Sequence, residues 1–218
     1  MIRQFDASLH DVKSLLLDMG EKLEVAINKA IKSLASLDTD LAKEVIDGDS
    51  VVDKLEEELD KQVATLIATQ QPVAKDLRKL ISALKIGSDM ERMADLASNI
   101  AEVTIQLVDK NLKLFKELED IPKMARITQG MVHDGINSYI DGNVSLSKEM
   151  AKTDDQVDQL YEDIVKELME RMIEQRQFTE VSLRLCFVAR YLERIADHAT
   201  NIAEEIVYIE TGRREDLN

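Results

Sequence analysis

The 218 residues are enough for one substantial core or two small domains, and seven Gly, two Pro and 4% aromatics supply few of the turns and pairing residues a sheet needs. Leu, Ala, Ile, Val, Lys, Glu and Asp dominate instead, so an all-α fold is expected. Forty-three acids against 28 bases give a net charge of −15, which repels a phosphate backbone, and no basic run with interleaved aromatics offsets it; direct nucleic-acid binding is not expected.

The first predicted element runs from about Arg3 to Leu37. There Phe5, Leu9, Val12, Leu16, Met19, Leu23, Ile27, Ala30 and Leu34 recur at three- and four-residue steps, the period of one long amphipathic helix. LDTDL stops it, and Asp38 or Asp40 caps a second helix to about Thr69 with Leu41, Val45, Val52, Leu55, Leu59, Val63 and Leu66 inward. Pro72 suits the first turn of a third helix ending near Leu112. The charged stretch KNLKLFKELEDIPK then marks a boundary, giving halves 1–114 and 115–218, and Asp120-Ile121-Pro122 starts a fourth helix to about Ile140. Asp141-Gly142-Asn143 breaks it, a fifth helix extends to about Gln175, and Thr179 is placed to cap a sixth carrying Leu183, Cys186, Phe187, Ala189, Tyr191 and Ile195. Three helices joined by short links in each half make an antiparallel bundle.

The lone Cys186 sits in LRLCFVARYL and reads as a small buried hydrophobe. The opening MIRQFDASLHD has no signal-peptide core and no 18 apolar residues run together, so a cytoplasmic location is expected.

The chain repeats itself. ERMADLASNIAE, residues 91–102, returns as ERIADHATNIAE, residues 193–204, identical at nine of twelve positions. At about 100° per residue, Glu91, Asp95, Asn99 and Glu102 lie within roughly 80° of one another, as do Glu193, Asp197, Asn201 and Glu204. Met93, Ala94, Ala97, Ile100, Ala101, Thr104 and Leu107 occupy the opposite half, so the acidic stripe is expected to face outward. A second match aligns Asp49 to Leu59 with Asp154 to Ile164, placing Asp49 above Asp53 and Asp154 above Asp158. Like charges one turn apart cost a few tenths of a kcal/mol in an isolated helix unless a cation or a base answers them. Such stripes serve as solvated faces or as oxygen-rich cation clamps, and Lys54 or Arg92 could pair with the first.

Enzyme readings fail at their ligands. A di-iron carboxylate centre needs Glu-x-x-His on two helices, whereas Glu193 and His198 are five apart and Leu96 stands in the matching place of the first copy. His10, His133 and His198 lie in unrelated contexts and read as surface or helix-flanking residues, and no HExxH, GxSxG, Gly-rich phosphate loop or CxxC occurs. Met90, Met93, Met169 and Met172 read as core.

Two tandem three-helix units, each with Asp-x-x-x-Asp on its second helix and Glu-Arg-x-x-Asp-x-x-x-Asn-Ile on its third, resemble the PhoU family of bacterial phosphate-signalling regulators across essentially the whole chain. The resemblance implies an all-α, internally repeated homodimer without enzymatic activity. It implies an adaptor between the ATPase of the phosphate ABC transporter and a membrane sensor histidine kinase, restraining the phosphate regulon when phosphate is plentiful. Some members bind multinuclear iron or zinc clusters through these motifs. Carried over, the ligands are Asp49, Asp53, Glu91, Asp95 and Asn99 in one half and Asp154, Asp158, Glu193, Asp197 and Asn201 in the other, with His198 against Leu96 making the two sites unequal. A carboxylate-cluster metal-binding or storage protein is the alternative. The length of helix one, with Phe5, Leu9, Val12 and Leu16 near its start, points with the resemblance to pairing of two copies.

Overall fold

The computed structural model describes residues 4–217, and six long α-helices account for most of them: α1 (Gln4–Ser36), α2 (Thr39–Gln70), α3 (Ala74–Asp109), α4 (Asp120–Asp141), α5 (Val144–Glu174) and α6 (Thr179–Thr211). Among the described residues there is no strand, and no helix is long and apolar enough to cross a membrane. Arg3, the expected start of α1, lies outside the described residues.

Why the helices start and stop is local chemistry. Asp38, with extended backbone, accepts from the amides of Asp40 and Leu41 at 3.0 Å and is the N-cap of α2, so of the two candidates Asp38 caps and Asp40 contributes charge to the first turn. Gly142 closes α4 in the left-handed conformation (φ 68°), and Asn143 accepts from the Leu146 amide to open α5. Two boundaries differ from the sequence expectation. Pro72 lies two residues ahead of α3, because Gln71 turns left-handed (φ 46°) to cap α2 and Val73 is extended, so the proline ends one helix and does not begin the next. Thr179 makes no side-chain cap; a short 3-10 turn, Arg176–Phe178, feeds the chain into α6.

All nine apolar positions expected of α1 are buried, and the face of α3 opposite its acids is buried throughout, from Met93 to Leu107. Each large aliphatic side chain withdrawn in this way contributes about 2 kcal/mol relative to an exposed one. Helices α1, α2 and α3 pack on one another, as do α4, α5 and α6, and α3 lies along α6. The latter pair is antiparallel over its whole length: Lys75 meets Glu210 at 2.5 Å, Ser82 donates to Glu205 at 2.8 Å, and Lys110 meets Glu180 at 2.5 Å. Gln129 of α4 donates to the Glu24 carbonyl of α1 at 3.0 Å, tying the halves a second time over one continuous core.

Helix α1, at 33 residues, is within one residue of α2 (32) and shorter than α3 (36), and Phe5, Leu9, Val12 and Leu16 are consumed inside the chain. The excess apolar length that pointed to a pairing surface is therefore absent. Met90 and Met93 are core as expected, but Met169 is 55% exposed, and Cys186 is half-buried.

Candidate functional site

The repeated acids converge at the two seams where the second helix of each half meets the third. At the α2/α3 seam, Asp49 has Asp95 and Asp53 as charged neighbours; burial first, and then those carboxylates, push its carboxyl up to about 6. Glu91 is raised as well, by burial and then by Asp95, Glu56, Asp53 and Asp49. At the α5/α6 seam, burial followed by Asp158, Asp197 and Glu193 pushes Asp154 up to about 7. Glu193 and Asp197 are raised too, chiefly by burial, with Arg190 opposing the rise. Each cluster is thus a set of carboxylates that repel one another, and carboxyl oxygens are left buried without a hydrogen-bond partner at both: Oδ1 of Asp49, Oδ1 of Asp154 and Oε2 of Glu193.

Four of the five sequence-chosen positions in each half come together in this way. The asparagines are the exceptions. Asn201 turns toward α3, its Nδ2 3.4 Å from Oδ1 of Asp89, and Asn99 is half-buried on α3 one turn past Asp95. The reason is rotational drift: four-residue steps advance 40° beyond a full turn, so the third member of the stripe has moved some 80° from the first.

The outward stripe also needs correction. Asp53, Asp95 and Asp158 are exposed, but Asp154 and Glu193 are only 7% and 8% exposed, because α5 and α6 close over them. His198 is not a surface residue. Its Nδ1 lies 2.9 Å from Oδ1 of buried Asp89, so it serves the α3/α6 contact and stands outside both carboxylate clusters.

The two clusters differ in their cations. Arg190 is hydrogen-bonded to Glu193 and lies near Asp197, whereas its counterpart in the first repeat, 102 positions earlier, is Ser88. Arg92 offsets Glu56 in the first cluster but replaces no such contact at Glu91. Extending the repeat alignment three residues upstream of Glu91 reveals Ser88 against Arg190; no pattern within one copy reveals the Asp89–His198 pair, which joins non-equivalent positions. Among the described residues no three His, Cys, Asp or Glu side chains stand close enough to hold a metal ion as they are placed.

Fold and site together define an all-α protein of two repeated three-helix units, each presenting a carboxylate cluster on its second and third helices. The PhoU domain matches the chain twice, over residues 16–104 and 121–206, and the chain belongs to the PhoU family. It is 35% identical over 98% of its length to a phosphate-specific transport system accessory protein PhoU homolog of Clostridium acetobutylicum, covering 97% of that protein. It is 39% identical to the homolog of Aquifex aeolicus, with 94% and 91% of the two chains covered. The crystal structure of PhoU from Pseudomonas aeruginosa superimposes with a TM-score of 0.91 at 33% identity, covering 96% of this chain and all of that one.

Proposed function

We propose that the protein is a cytoplasmic, non-enzymatic regulator of phosphate uptake and phosphate-regulon signalling, a homodimeric adaptor that links the phosphate ABC transporter ATPase to a sensor histidine kinase and restrains the regulon when phosphate is plentiful. The observation that carries this reading is the end-to-end match, in both repeats, to relatives named as accessory proteins of the phosphate-specific transport system. The charge supports it: at −15 the chain must reach gene expression through proteins and not through DNA. Halves 1–114 and 115–218 are the units of this adaptor, each carrying one acid cluster. Deleting the gene is expected to raise phosphate-scavenging gene expression and phosphate uptake in phosphate-rich medium; unchanged expression and uptake there would refute the reading. Light scattering at micromolar concentration is expected to give about twice the 24.7 kDa of one chain, and a mass of one chain would remove the homodimer.

A second reading is favoured by the buried, unpartnered oxygens of Asp49, Asp154 and Glu193. A donor set of mutually repelling carboxylates suits a divalent or trivalent cation such as iron or zinc, which would neutralise the repulsion. Asp49, Asp53, Glu91 and Asp95 would hold it in one half, and Asp154, Asp158, Glu193 and Asp197 in the other, with Asn99 and Asn201 at the ends of the stripes. Rearrangement of side chains must accompany binding, since the carboxylates are not gathered around a common point. Replacing Asp95 and Asp197 together by Ala is expected to abolish metal uptake in elemental analysis while helicity is kept; unaltered stoichiometry would show that other groups bind.

A further inference from the structure

The α2/α3 acid cluster adjoins an apolar groove. A groove of about 200 Å³ opens between α1, α2 and α3, floored by Val45, Val52 and Ala94 and walled by Val25 and Val51. Val25 is 53% and Val51 42% exposed, so two aliphatic side chains meet solvent on facing helices. Asp49 of α2 and Ser98 of α3 line it, while Lys22 and the Lys29–Glu44 ion pair stand along the α1 side. Gly48 lies at the lip of the groove, where a Cβ would meet open space, with nothing within 4 Å.

In the repeat frame the second half has Thr153 for Gly48, Gln156 for Val51 and Arg190 for Ser88. At the second cluster Arg190 answers Glu193, though not Asp154, and the positions matching Gly48 and Val51 are polar. At the first, an apolar cleft lies directly beside carboxylates that lack that guanidinium. A bare cation would be served by the carboxylates alone and has no use for valine walls. A protein segment uses both, aliphatic side chains in the cleft and cationic ones on the acids.

We propose that this groove docks a cationic amphipathic helix of a partner protein. Its aliphatic ridge lies between Val25 and Val51, and its arginine or lysine edge faces Asp49, Asp53, Glu91 and Asp95. The charges favour one orientation across the groove, since the opposite edge of the helix meets Lys22, Lys29 there being already paired with Glu44 at 2.8 Å. The proposal rests on the adaptor reading and names the chemistry of one partner surface for it.

The test uses the full chain and a helical peptide about 18 residues long, with leucines at three- and four-residue steps, arginines along one flank and glutamines elsewhere. Binding followed by amide chemical shifts is expected to perturb Val25, Gly48 and Val51. Gly48→Leu, which adds bulk at the lip of the groove where a Cβ meets no neighbour, is expected to weaken binding at least about tenfold, as is Asp49→Asn with Asp95→Asn, whereas Asp154→Asn leaves it unchanged. Diffuse attraction to an acidic chain predicts otherwise: equal loss from either cluster, indifference to Gly48→Leu, or undiminished binding of a peptide with its leucines replaced by glutamine, and any of these overturns the proposal. A fall in the mass of Gly48→Leu alone in solution would assign the groove to a second copy and overturn it as well. These outcomes do not depend on the deletion phenotype, so either reading can fail by itself.

Discussion

Replacing Asp154 by Asn is expected to raise the melting temperature at pH 8, in metal-free buffer, and to leave it unchanged at pH 4. In the fold this carboxyl is pushed from an ordinary 3.8 to about 7 by burial and by Asp158, Asp197 and Glu193. A raised acid binds its proton more tightly folded than unfolded, so below about pH 4, where both states are protonated, nothing is lost. Between about pH 4 and 7 the unfolded chain releases that proton first and stability falls; above 7 the penalty is constant. Asparagine never ionises and escapes the penalty. The full difference is worth about 4 kcal/mol, and solvent screening at a cluster that includes exposed Asp158 and half-buried Asp197 reduces it to about 1 to 2 kcal/mol, or roughly 3 to 6 °C for a chain of this size. Asp49, raised to about 6, should behave alike with a smaller gain. Thermal melts across the pH range, with chelator present, decide the matter. A lower melting temperature for Asp154→Asn at pH 8 would mean that the native carboxylate is already answered by a cation.

The second large effect is expected where Leu59 of α2 packs on Gly87 of α3. Leu59 is fully buried, and a Cβ on Gly87 would fall 2.5 Å from its Cδ2, so the leucine occupies the space an alanine at 87 would need. Leu59→Ala should cost about 3 kcal/mol through lost burial and the cavity left behind. Gly87→Ala gains about 1 kcal/mol of helix propensity but overpacks the contact, for a net loss of about 1 kcal/mol. Combined, the added methyl enters the vacated space, so the double variant should be more stable than the sum of the two losses by about 1 to 2 kcal/mol in urea unfolding. Strict additivity would show that this contact does not set the α2/α3 spacing. The spacing matters for the site, because Asp53 and Glu56 face Glu91 across the same seam.

Much of this architecture is legible in one dimension, because it depends on period and on punctuation. The three- and four-residue steps from Phe5 to Leu34 specify a helix whose every predicted inward position is buried. Asp38 and Gly142 act through neighbours two to four residues away, which a sequence displays. The same holds for the acid pairs, since residues four apart on a helix share a face whatever surrounds it.

Other features depend on what crosses a given face. The acid stripe reads as outward in either repeat, yet α5 and α6 bury Asp154 and Glu193 where α2 and α3 leave their counterparts Asp49 and Glu91 half-buried. His198 has no partner within its own helix and acquires one only when α3 brings Asp89 alongside. The apparent excess of apolar surface on α1 likewise disappears once α2 and α3 prove as long and cover it.

By itself, then, the sequence determined the helices, their order, their duplication and which side chains share a face, because these follow from backbone geometry and from caps that act over one turn. The tertiary structure alone decided which carboxylates are buried together, that Asn201 leaves them for Asp89, and that the first cluster lies open beside a valine groove while Arg190 answers the second. Burial and charge pairing depend on distances between helices, and those are set by side chains such as Leu59 and Gly87 that meet only in the packed fold.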